Sequence, residues 1–364
     1  MASLREQSIA IIRRYQTADG AYVACPNFPP YGFCWLRDGT FTAYAMDRVG
    51  QHDSSRRFYL WVHSVLRGQA DRVDRITRLL ADGCAPGPQE MLPTRYRLDG
   101  KPECDGWPNF QLDGYGTWLW GMAEHVAMTG EAGLLAELRE SIELTVRYLS
   151  HCWQLPNYDC WEEFGDRLHP ATLACLYGGL AAINSHLNRT DVAALAEEIR
   201  GYVLTHGVAG GKFTKSIGNN SVDASLLWLS VPFAVVDLGD PRMVATVREI
   251  ERRLYHQGVH RYPEDTYYGG GEWPLLACWL GWYHCRTGRP DAAMPILAWV
   301  EGCATDAGEL PEQVSTHVNV QKYLPEWQER WGPVATPLLW SHAMYLILLE
   351  ELAGQATMGD RDPA

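Results

Sequence analysis

Two short acidic motifs carry the side chains that are best suited to chemistry. The first is Asp159-Cys160-Trp161-Glu162-Glu163, and the second, far downstream, is Gly308-Glu309-Leu310-Pro311-Glu312-Gln313. Two carboxyl groups in different surroundings can hold different protonation states at one pH, so that one serves as an acid and the other as a base. We interpret Glu162 and Glu312 as the two halves of such an acid/base pair.

The neighbours of Glu162 favour its protonated form. Trp161 offers an apolar wall and Glu163 a like charge, and both would raise the pKa of the Glu162 carboxyl group, as an acid requires. An alternative is that Glu162 and Glu163 form an acidic pair at a helix N terminus, where the helix dipole favours negative charge. The residues in the other loops help to decide between an acid/base role and a helix N-terminal pair.

Most of the other long loops combine carboxylates, arginine and aromatic residues. Carboxylates and arginine bind hydroxyl groups by charge-assisted hydrogen bonds, and aromatic rings can pack on the C–H faces of a sugar ring. One Arg–Asp pair alone would be a surface ion pair worth about 0–1 kcal/mol, but the mixture recurs from loop to loop. These residues are Tyr31, Trp35, Arg37 and Asp38; Asp105, Trp107, Gln111 and Asp113; and Arg261, Asp265, Tyr267 and Trp273.

A polyhydroxylated ligand beside two carboxyl groups indicates glycosidic bond cleavage. That reaction needs a protonated acid at the leaving oxygen and a carboxylate that acts as nucleophile or as base. The chain has no His-Glu-x-x-His motif and no zinc-like Cys/His spacing, so we expect no metal. It has no Gly-x-Gly-x-x-Gly, Walker A or Gly-x-Ser-x-Gly motif, so we expect no nucleotide cofactor and no serine nucleophile.

The composition limits the possible binding partners of the protein and indicates its cellular compartment. The net charge of −13 disfavours binding to nucleic acid, whose phosphates would be repelled. No apolar run is long enough to span a bilayer, and no secretory signal is recognisable at Met1–Gln16. The ten cysteines contain no Cys-x-x-Cys pair and are interpreted as reduced thiols. We therefore predict a cytoplasmic protein that binds a small oligosaccharide; the sequence does not indicate an oligomeric state.

Amphipathic helices alternate with helices that are apolar on all sides, with a period of roughly 50 residues. A helix that is apolar all round must be buried, so six buried helices inside six others predict an all-α (α/α)6 barrel. We place the domain at residues 1–354 and a frayed tail at 355–364. The expected inner helices are Asp38–Val49, Leu112–Met128, His169–Ile183, Val222–Val236, Trp273–Tyr283 and Thr336–Leu352. Six long loops should gather where these helices begin, with short strands at most at Arg95–Leu98 and Lys212–Ser216.

The motifs in this order resemble the catalytic domain of glycoside hydrolase family 15, which comprises glucoamylases, glucodextranases and related α-glucosidases. The resemblance extends from about Tyr15 to Leu352. The motifs that carry it are Tyr31-x-x-x-Trp35-x-Arg37-Asp38, Gln111-Leu112-Asp113, Asp159-x-Trp161-Glu162-Glu163, Arg261-Tyr262-Pro263-Glu264-Asp265-x-Tyr267-Tyr268, Glu312-Gln313 and Trp340-Ser341.

The resemblance implies an (α/α)6 barrel and an inverting exo-hydrolase that releases β-glucose from non-reducing ends. It implies Glu162 as general acid and Glu312 as general base, with their carboxyl groups about 6.5–9.5 Å apart, as inversion requires. The other implied roles belong to the sugar contacts. Arg37 and Asp38 would bind the terminal glucose, Arg261 and Glu163 the neighbouring sugar, Asp265 would support Arg261, Tyr31 would lie beneath the ring, and Trp35, Trp107 and Trp273 would form walls, with Tyr267 among the contacts.

From the sequence we expect a protein without the starch-binding module, the N-terminal β-sandwich and the secretion signal of larger relatives. These differences favour short glucosides over starch, and isomaltose and other α-1,6-linked oligosaccharides are the expected substrates. Trehalose, or maltose and starch, remain alternatives on the same scaffold. A toroid that binds sugar without catalysis is a third interpretation, although it would not need acidic residues in both the third and the sixth loop.

Overall fold

The computed structural model describes residues 2–103 and 106–359, and the side chains of these residues up to 355. The helices are α1 (Leu4–Arg14), α2 (Leu36–Arg48), α3 (His52–Arg67), α4 (Ala70–Ala81), α5 (Asp113–Thr129), α6 (Gly133–Glu137), α7 (Arg139–Cys152), α8 (Pro170–Leu187), α9 (Thr190–His206), α10 (Pro241–Leu254), α11 (Pro274–Arg286), α12 (Pro290–Gly302), α13 (Tyr323–Trp331) and α14 (Leu339–Gly359). Four 3₁₀ helices lie at Pro29–Tyr31, Pro88–Glu90, Ala224–Leu229 and Tyr267–Gly269. The strands are β1 (Cys34–Trp35), β2 (Arg95–Tyr96), β3 (Val208–Ala209) and β4 (Lys212–Phe213).

Six buried elements form a closed inner ring. In order around the ring, α2 packs on α5, α5 on α8, α8 on the 3₁₀ helix Ala224–Leu229, that helix on α11, α11 on α14, and α14 on α2. The helices α1, α3, α7, α9, α10 and α12 form the outer layer. This is the predicted (α/α)6 barrel.

Glycines permit the closest approach within the ring, between α5 and α8. A Cβ atom on Gly179 would collide with the backbone of Gly116, and one on Gly116 would collide with the backbone at Cys175. The two helices can therefore touch backbone to backbone only because both positions lack a side chain. This contact holds the start of α5 beside the loop that precedes α8.

Proline marks where several elements begin. Pro170 and Pro274 occupy the first positions of the inner helices α8 and α11, where a missing N–H costs no hydrogen bond. Each follows a long loop, so the loop-to-helix transition is fixed at the end of the barrel where those loops gather. In the outer layer, α1 begins with a capping box between Ser3 and Glu6.

The fourth inner helix was predicted wrongly. The segment Val222–Val236 is mostly buried, as expected, but only Ala224–Leu229 is helical, and its helix is of the 3₁₀ type. Pro232 follows, and Ala234 has a positive φ of 50°, so an α-helix cannot continue through this segment. The apolar pattern therefore located a core element correctly and misassigned its backbone.

Other boundaries differ from prediction by a few residues. The outer segment between α5 and the Glu162 loop consists of two helices, α6 and α7, that meet at Leu138. The predicted strands are shortened to β2 and β4, which pair with β1 and β3. Helix α13 was not predicted at all. A tail frayed after Gly354 stays a prediction: α14 runs to Gly359, and residues 360–364 lie outside the described residues.

The thiols match the interpretation from sequence. All nine cysteines within the described residues are free, and seven of them are buried; Cys104 is outside the described residues. Among the described helices, none is both long enough and apolar enough to cross a bilayer.

Candidate active site

A cavity of about 450 Å³ opens at the end of the barrel where the inner helices begin. It collects nearly all of the residues that the sequence motifs singled out. Those that line it are Tyr31, Trp35, Arg37, Asp38, Trp107, Glu162, Glu163, Arg261, Tyr267, Trp273 and Glu312. Asp265 is buried behind Arg261, and Asp105 is outside the described residues.

The loop that carries Glu162 is a tight turn organised by Asp159. Glu162 has a positive φ of 60°, a conformation that is unfavourable for a side chain of this size. The Asp159 carboxylate accepts hydrogen bonds from the backbone N–H groups of Trp161 (3.0 Å) and Glu163 (2.9 Å), and the Asp159 carbonyl accepts one from Glu162 (3.0 Å). These bonds compensate the strained backbone. Glu162 is not at a helix N terminus, which excludes that alternative.

Lys215 forms an ion pair with Asp159 through the second oxygen of its carboxylate. Its ammonium group lies 3.2 Å from Asp159 Oδ2 and 2.6 Å from Asp223 Oδ2, and it is almost fully buried. Asp223 in turn accepts a hydrogen bond from Trp161 Nε1. Removing one partner from a buried ionic cluster leaves an uncompensated charge and is strongly destabilising. The cluster therefore fixes Asp159 and Trp161, the part of the turn that precedes Glu162.

One oxygen of the Glu162 carboxyl group accepts hydrogen bonds from the protein, and the other accepts none from the described residues. Its Oε1 accepts hydrogen bonds from Trp35 Nε1 (3.1 Å) and Gln111 Nε2 (3.0 Å), and Arg37 Nη2 lies 3.5 Å from it. Because these groups donate N–H bonds to Oε1, a proton on Glu162 must reside on Oε2. Burial raises the pKa of Glu162 to about 7, against the opposing charge of Arg37.

The like charges that raise this pKa are not the expected ones. Asp38 and Asp113 contribute to the increase for Glu162. The Glu163 carboxylate is instead turned away, since it accepts a hydrogen bond from the Tyr262 hydroxyl (2.5 Å) and lies 3.4 Å from Arg261 Nη2. The direction of the pKa shift agrees with the one expected from the sequence, but Glu163 is not among its largest causes.

The backbone around Glu312 is anchored by α14 and the segment before it. The Glu312 N–H donates to the Ala335 carbonyl (2.9 Å), and Ser341 Oγ donates to the Pro311 carbonyl (2.8 Å). His342 Nε2 accepts the Leu310 N–H at 3.0 Å, so the ring proton is on Nδ1, which faces Ser8 Oγ at 2.9 Å. Burial lowers the pKa of His342 to about 3 and keeps it neutral.

The Glu312 carboxyl group repeats the pattern of Glu162. Its Oε1 accepts the Tyr31 hydroxyl (2.9 Å), and Tyr31 also lies 2.9 Å from the Tyr267 hydroxyl. Because the single Tyr31 proton is used toward Glu312, Tyr267 must donate to Tyr31. Glu312 Oε2 is buried without a hydrogen-bond partner among the described residues. Burial, with a smaller contribution from the Glu162 charge, raises the pKa of Glu312 to about 8.

Two arginines are fixed beside the carboxyl groups. Arg37 Nη1 donates to Asp113 Oδ2 (2.8 Å) and Gln111 Oε1 (3.1 Å), and its Nε lies 3.2 Å from Asp38 Oδ2. Asp38 Oδ2 has no hydrogen-bond partner in the described parts of the chain. Burial raises the pKa of Asp38 to about 6. A buried carboxylate oxygen that is ion-paired with a fixed guanidinium group, and has no further partner among the described residues, suits a ligand hydroxyl.

Arg261 is held more tightly by its own partner. Its Nε donates to Asp265 Oδ2 (2.8 Å) and its Nη2 to Asp265 Oδ1 (2.5 Å), a bidentate geometry that leaves little freedom. The guanidinium group is within 5.4 Å of the ring centroids of Trp161 and Trp273. Arg261 thus presents its remaining N–H groups from a fixed position in the cavity wall.

Comparison with known proteins identifies the family. Residues 3–288 match the profile of glycosyl hydrolases family 15. An isomaltose glucohydrolase of Kribbella flavida is 42% identical over 357 residues, which cover 96% of this chain and 92% of that protein. The chain belongs to glycoside hydrolase family 15. It is therefore a glycoside hydrolase, and the carboxyl groups in its cavity are in the setting expected for that chemistry.

Two further relatives illustrate the range of family 15. A solved structure of a glycosidase variant in complex with glucose has a TM-score of 0.93 and 41% identity, with 96% of each chain covered. Trehalase 1 of Sulfolobus acidocaldarius is 27% identical over 337 residues, which cover 90% of this chain and 57% of that protein. The whole described fold is therefore close to that of a glycosidase.

Several cavity residues were missed by the family 15 motifs. Helix α13, between Glu312 and α14, contributes three of them, Trp327, Arg330 and Trp331. The available signal was the spacing Trp327-x-x-Arg330-Trp331, which places all three on one face of a helix. Lys215 was also missed, because nothing in its local sequence indicates that two distant aspartates surround it.

Proposed function

We propose that this protein hydrolyses short α-glucosides from the non-reducing end with inversion, releasing β-glucose, and that isomaltose is its preferred substrate. The observation that carries the proposal is the matched state of two carboxyl groups in one cavity. Glu162 and Glu312 each have Oε1 engaged by donors of the protein and Oε2 left for reacting groups. A cavity of about 450 Å³ is near the lower end of the range of roughly 300–1,000 Å³ for ligand pockets and suits a short substrate.

In the proposed reaction, Glu162 delivers the proton on Oε2 to the glycosidic oxygen as the C–O bond to the leaving sugar breaks. Glu312 Oε2 accepts a proton from a water molecule, whose oxygen bonds to the anomeric carbon from the opposite face. Glu162 ends ionised and Glu312 protonated, and exchange with solvent restores both. A carboxyl separation of about 6.5–9.5 Å, which leaves room for that water, stays a prediction.

The hydrogen bonds, rather than the order of the pKa values, support this assignment of roles. With values of about 7 and 8, Glu162 and Glu312 together hold one proton at slightly alkaline pH. Catalysis requires that proton on Glu162, whose N–H donors direct it to Oε2. The Tyr31 hydroxyl stabilises the ionised form of Glu312. Both arrangements of one proton give the same bell-shaped pH dependence.

The sugar contacts are proposed from the resemblance to the family 15 motifs. Arg37 and Asp38 are almost fully buried at the start of α2 and are proposed to bind the terminal glucose. Arg261, held by Asp265, and Glu163 are proposed to bind the neighbouring sugar. Tyr31 would lie beneath the reacting ring beside Glu312 and Tyr267, and Trp35, Trp107 and Trp273 would form the walls.

Glucose release from isomaltose, maltose, nigerose, trehalose and dextran tests the substrate. We expect the highest kcat/KM for isomaltose, as the name of the 42% identical relative suggests. Trehalose is the second candidate, supported by the trehalase relative. A preference for trehalose or for dextran would overturn the choice of isomaltose while leaving the hydrolase intact. The cytoplasmic location inferred from the sequence stays a prediction.

Two measurements test the mechanism. Proton NMR of the first product should show β-glucose, and α-glucose would contradict inversion and indicate carboxyl groups only about 5 Å apart. Glu162→Gln and Glu312→Gln should each lower kcat by orders of magnitude. Glu198→Gln, an exposed position on the outer helix α9, is the matched control and should keep wild-type activity. Wild-type turnover in either cavity variant would remove that residue from its role.

A further inference from the structure

Helix α13 presents one face to the cavity. Trp327, Arg330 and Trp331 line the cavity, and their spacing of three and four residues places them together on a helix. The helix contains no buried residue, so its main support is aromatic. Trp327 contacts Tyr267 (ring centroids 5.0 Å apart) and Tyr268 (6.2 Å). The helix therefore functions as a wall of the cavity rather than as part of the core.

This wall meets the other side of the cavity at Trp331, which also packs edge-on against Phe28, with ring centroids 6.0 Å apart. Trp331 stacks on Trp107, with ring centroids 6.3 Å apart and planes 23° apart. Trp107 is backed by the Arg95 guanidinium, 3.9 Å from its ring centroid, and Arg95 donates to the Pro30 carbonyl at 2.7 Å. One partner of the contact is thus fixed to the barrel, and the other is carried by a half-exposed helix.

Arg330 differs from the two arginines deeper in the cavity. Arg37 and Arg261 each have a carboxylate partner within 3 Å. Within the described ranges no carboxylate lies in ion-pair range of Arg330, and its guanidinium is 5.2 Å and 5.1 Å from the ring centroids of Trp327 and Trp331. A guanidinium group stacked on indole rings keeps its in-plane N–H donors available for hydroxyl groups.

The difference in exposure between the two ends of the cavity supports a leaving sugar that lies against this face. The groups proposed to bind the terminal glucose, Arg37 and Asp38, are buried, whereas Trp327 and Trp331 are half-buried and Arg330 is exposed. A substrate whose terminal glucose is at the buried end would extend its next ring toward α13. Aromatic faces with a free guanidinium group match the C–H faces and hydroxyls of such a ring.

We propose that the Trp327–Arg330–Trp331 face of α13 binds the leaving sugar and that the Trp107–Trp331 contact closes the cavity beyond it, which restricts the enzyme to short substrates. This inference deepens the proposed function and rests on it. It names the specificity-determining element that the sequence motifs did not reveal.

The experiment compares three substrates in Trp331→Ala, Trp331→Phe and wild type. Isomaltose has one leaving ring, isomaltotriose has two, and α-glucosyl fluoride has none. In Trp331→Ala, kcat/KM for isomaltose should fall at least tenfold more than kcat/KM for α-glucosyl fluoride. The ratio of kcat/KM for isomaltotriose to that for isomaltose should rise at least fivefold. Trp331→Phe keeps an aromatic face and should recover most of the preference for isomaltose.

Glu329→Ala, an exposed position of α13 that is not part of the cavity lining, is the control and should keep both wild-type ratios. Equal losses on isomaltose and on the fluoride, or an unchanged ratio of the two oligosaccharides in Trp331→Ala, would overturn the inference. Failure of the proposed function would look different, because it would already appear in the wild-type enzyme as absent or minor hydrolysis of isomaltose.

Discussion

Glu312→Gln should make the protein more stable at the pH where it abolishes activity. The Glu312 side chain is 2% exposed, and burial raises its pKa from 4.5 to about 8. A raised carboxyl pKa means that the folded state binds the proton more tightly than the unfolded state does. Its contribution to stability is therefore fully present below pH 4.5 and is lost as pH rises toward 8.

The magnitude follows from linkage. Each pH unit in this window removes about 1.4 kcal/mol from the free energy of unfolding, so roughly 3 kcal/mol disappears between pH 5.5 and 8. Gln cannot titrate, yet it keeps an oxygen for the Tyr31 hydroxyl and fills the same space. Since unfolding entropy is about 2 cal/mol/K per residue, a chain of 364 residues converts 3 kcal/mol into about 4 °C.

The assay is the melting temperature of wild type, Glu312→Gln and the exposed control Glu198→Gln between pH 5.5 and 8. The melting temperatures of wild type and control should fall in parallel as the pH rises. At the alkaline end the melting temperature of Glu312→Gln should be about 4 °C higher than theirs. Parallel curves for all three proteins would refute the reasoning, because they would show that Glu312 titrates alike in the folded and unfolded states.

Three further predictions concern the reaction. Glu162→Gln should lose at least a thousandfold of kcat on isomaltose but far less on α-glucosyl fluoride, since fluoride departs without a proton; equal losses would deny Glu162 the acid role. The pH profile of kcat/KM should be bell-shaped, with both limbs above pH 4.5 and a maximum near pH 7–8, where Glu162 and Glu312 share one proton; a maximum below pH 5.5 would contradict the raised pKa values. Asp159→Ala should lower kcat roughly 10- to 100-fold by releasing the turn at Glu162, whereas Asp159→Asn, which keeps the accepting oxygen, should retain more activity; identical kcat values for the two variants would argue against that positioning role.

The sequence predicted the inner ring because burial on all sides leaves an unmistakable apolar pattern. The same pattern could not distinguish an α-helix from the 3₁₀ segment at Ala224–Leu229, because both are fully buried. Pro232 was the local warning that an α-helix spanning Val222–Val236 would be interrupted. Helix α13 was not predicted for the opposite reason. It has no buried residue, so no apolar periodicity marks it in the sequence.

The sequence could predict that the motifs come together in space, because loops that precede inner helices lie at one end of a barrel. The local geometry of Glu162 was not, because its positive φ depends on Asp159 and, through it, on Lys215. The direction in which Glu163 points depends on Tyr262, which is remote in the sequence. Side-chain orientation of this kind is set by long-range packing, which motif spacing does not encode.

The anchoring of the Glu312 loop has a consequence for biosynthesis. Its hydrogen bonds come from Ala335, Ser341 and His342, all of which are translated after Glu312 itself, and His342 also reaches back to Ser8 in α1. While these residues are still in the ribosomal tunnel, a nascent chain can hold the turn at Glu162 but cannot position its partner. Hydrolytic competence should therefore arise in a single late step, when α14 docks against α1 and seals the ring.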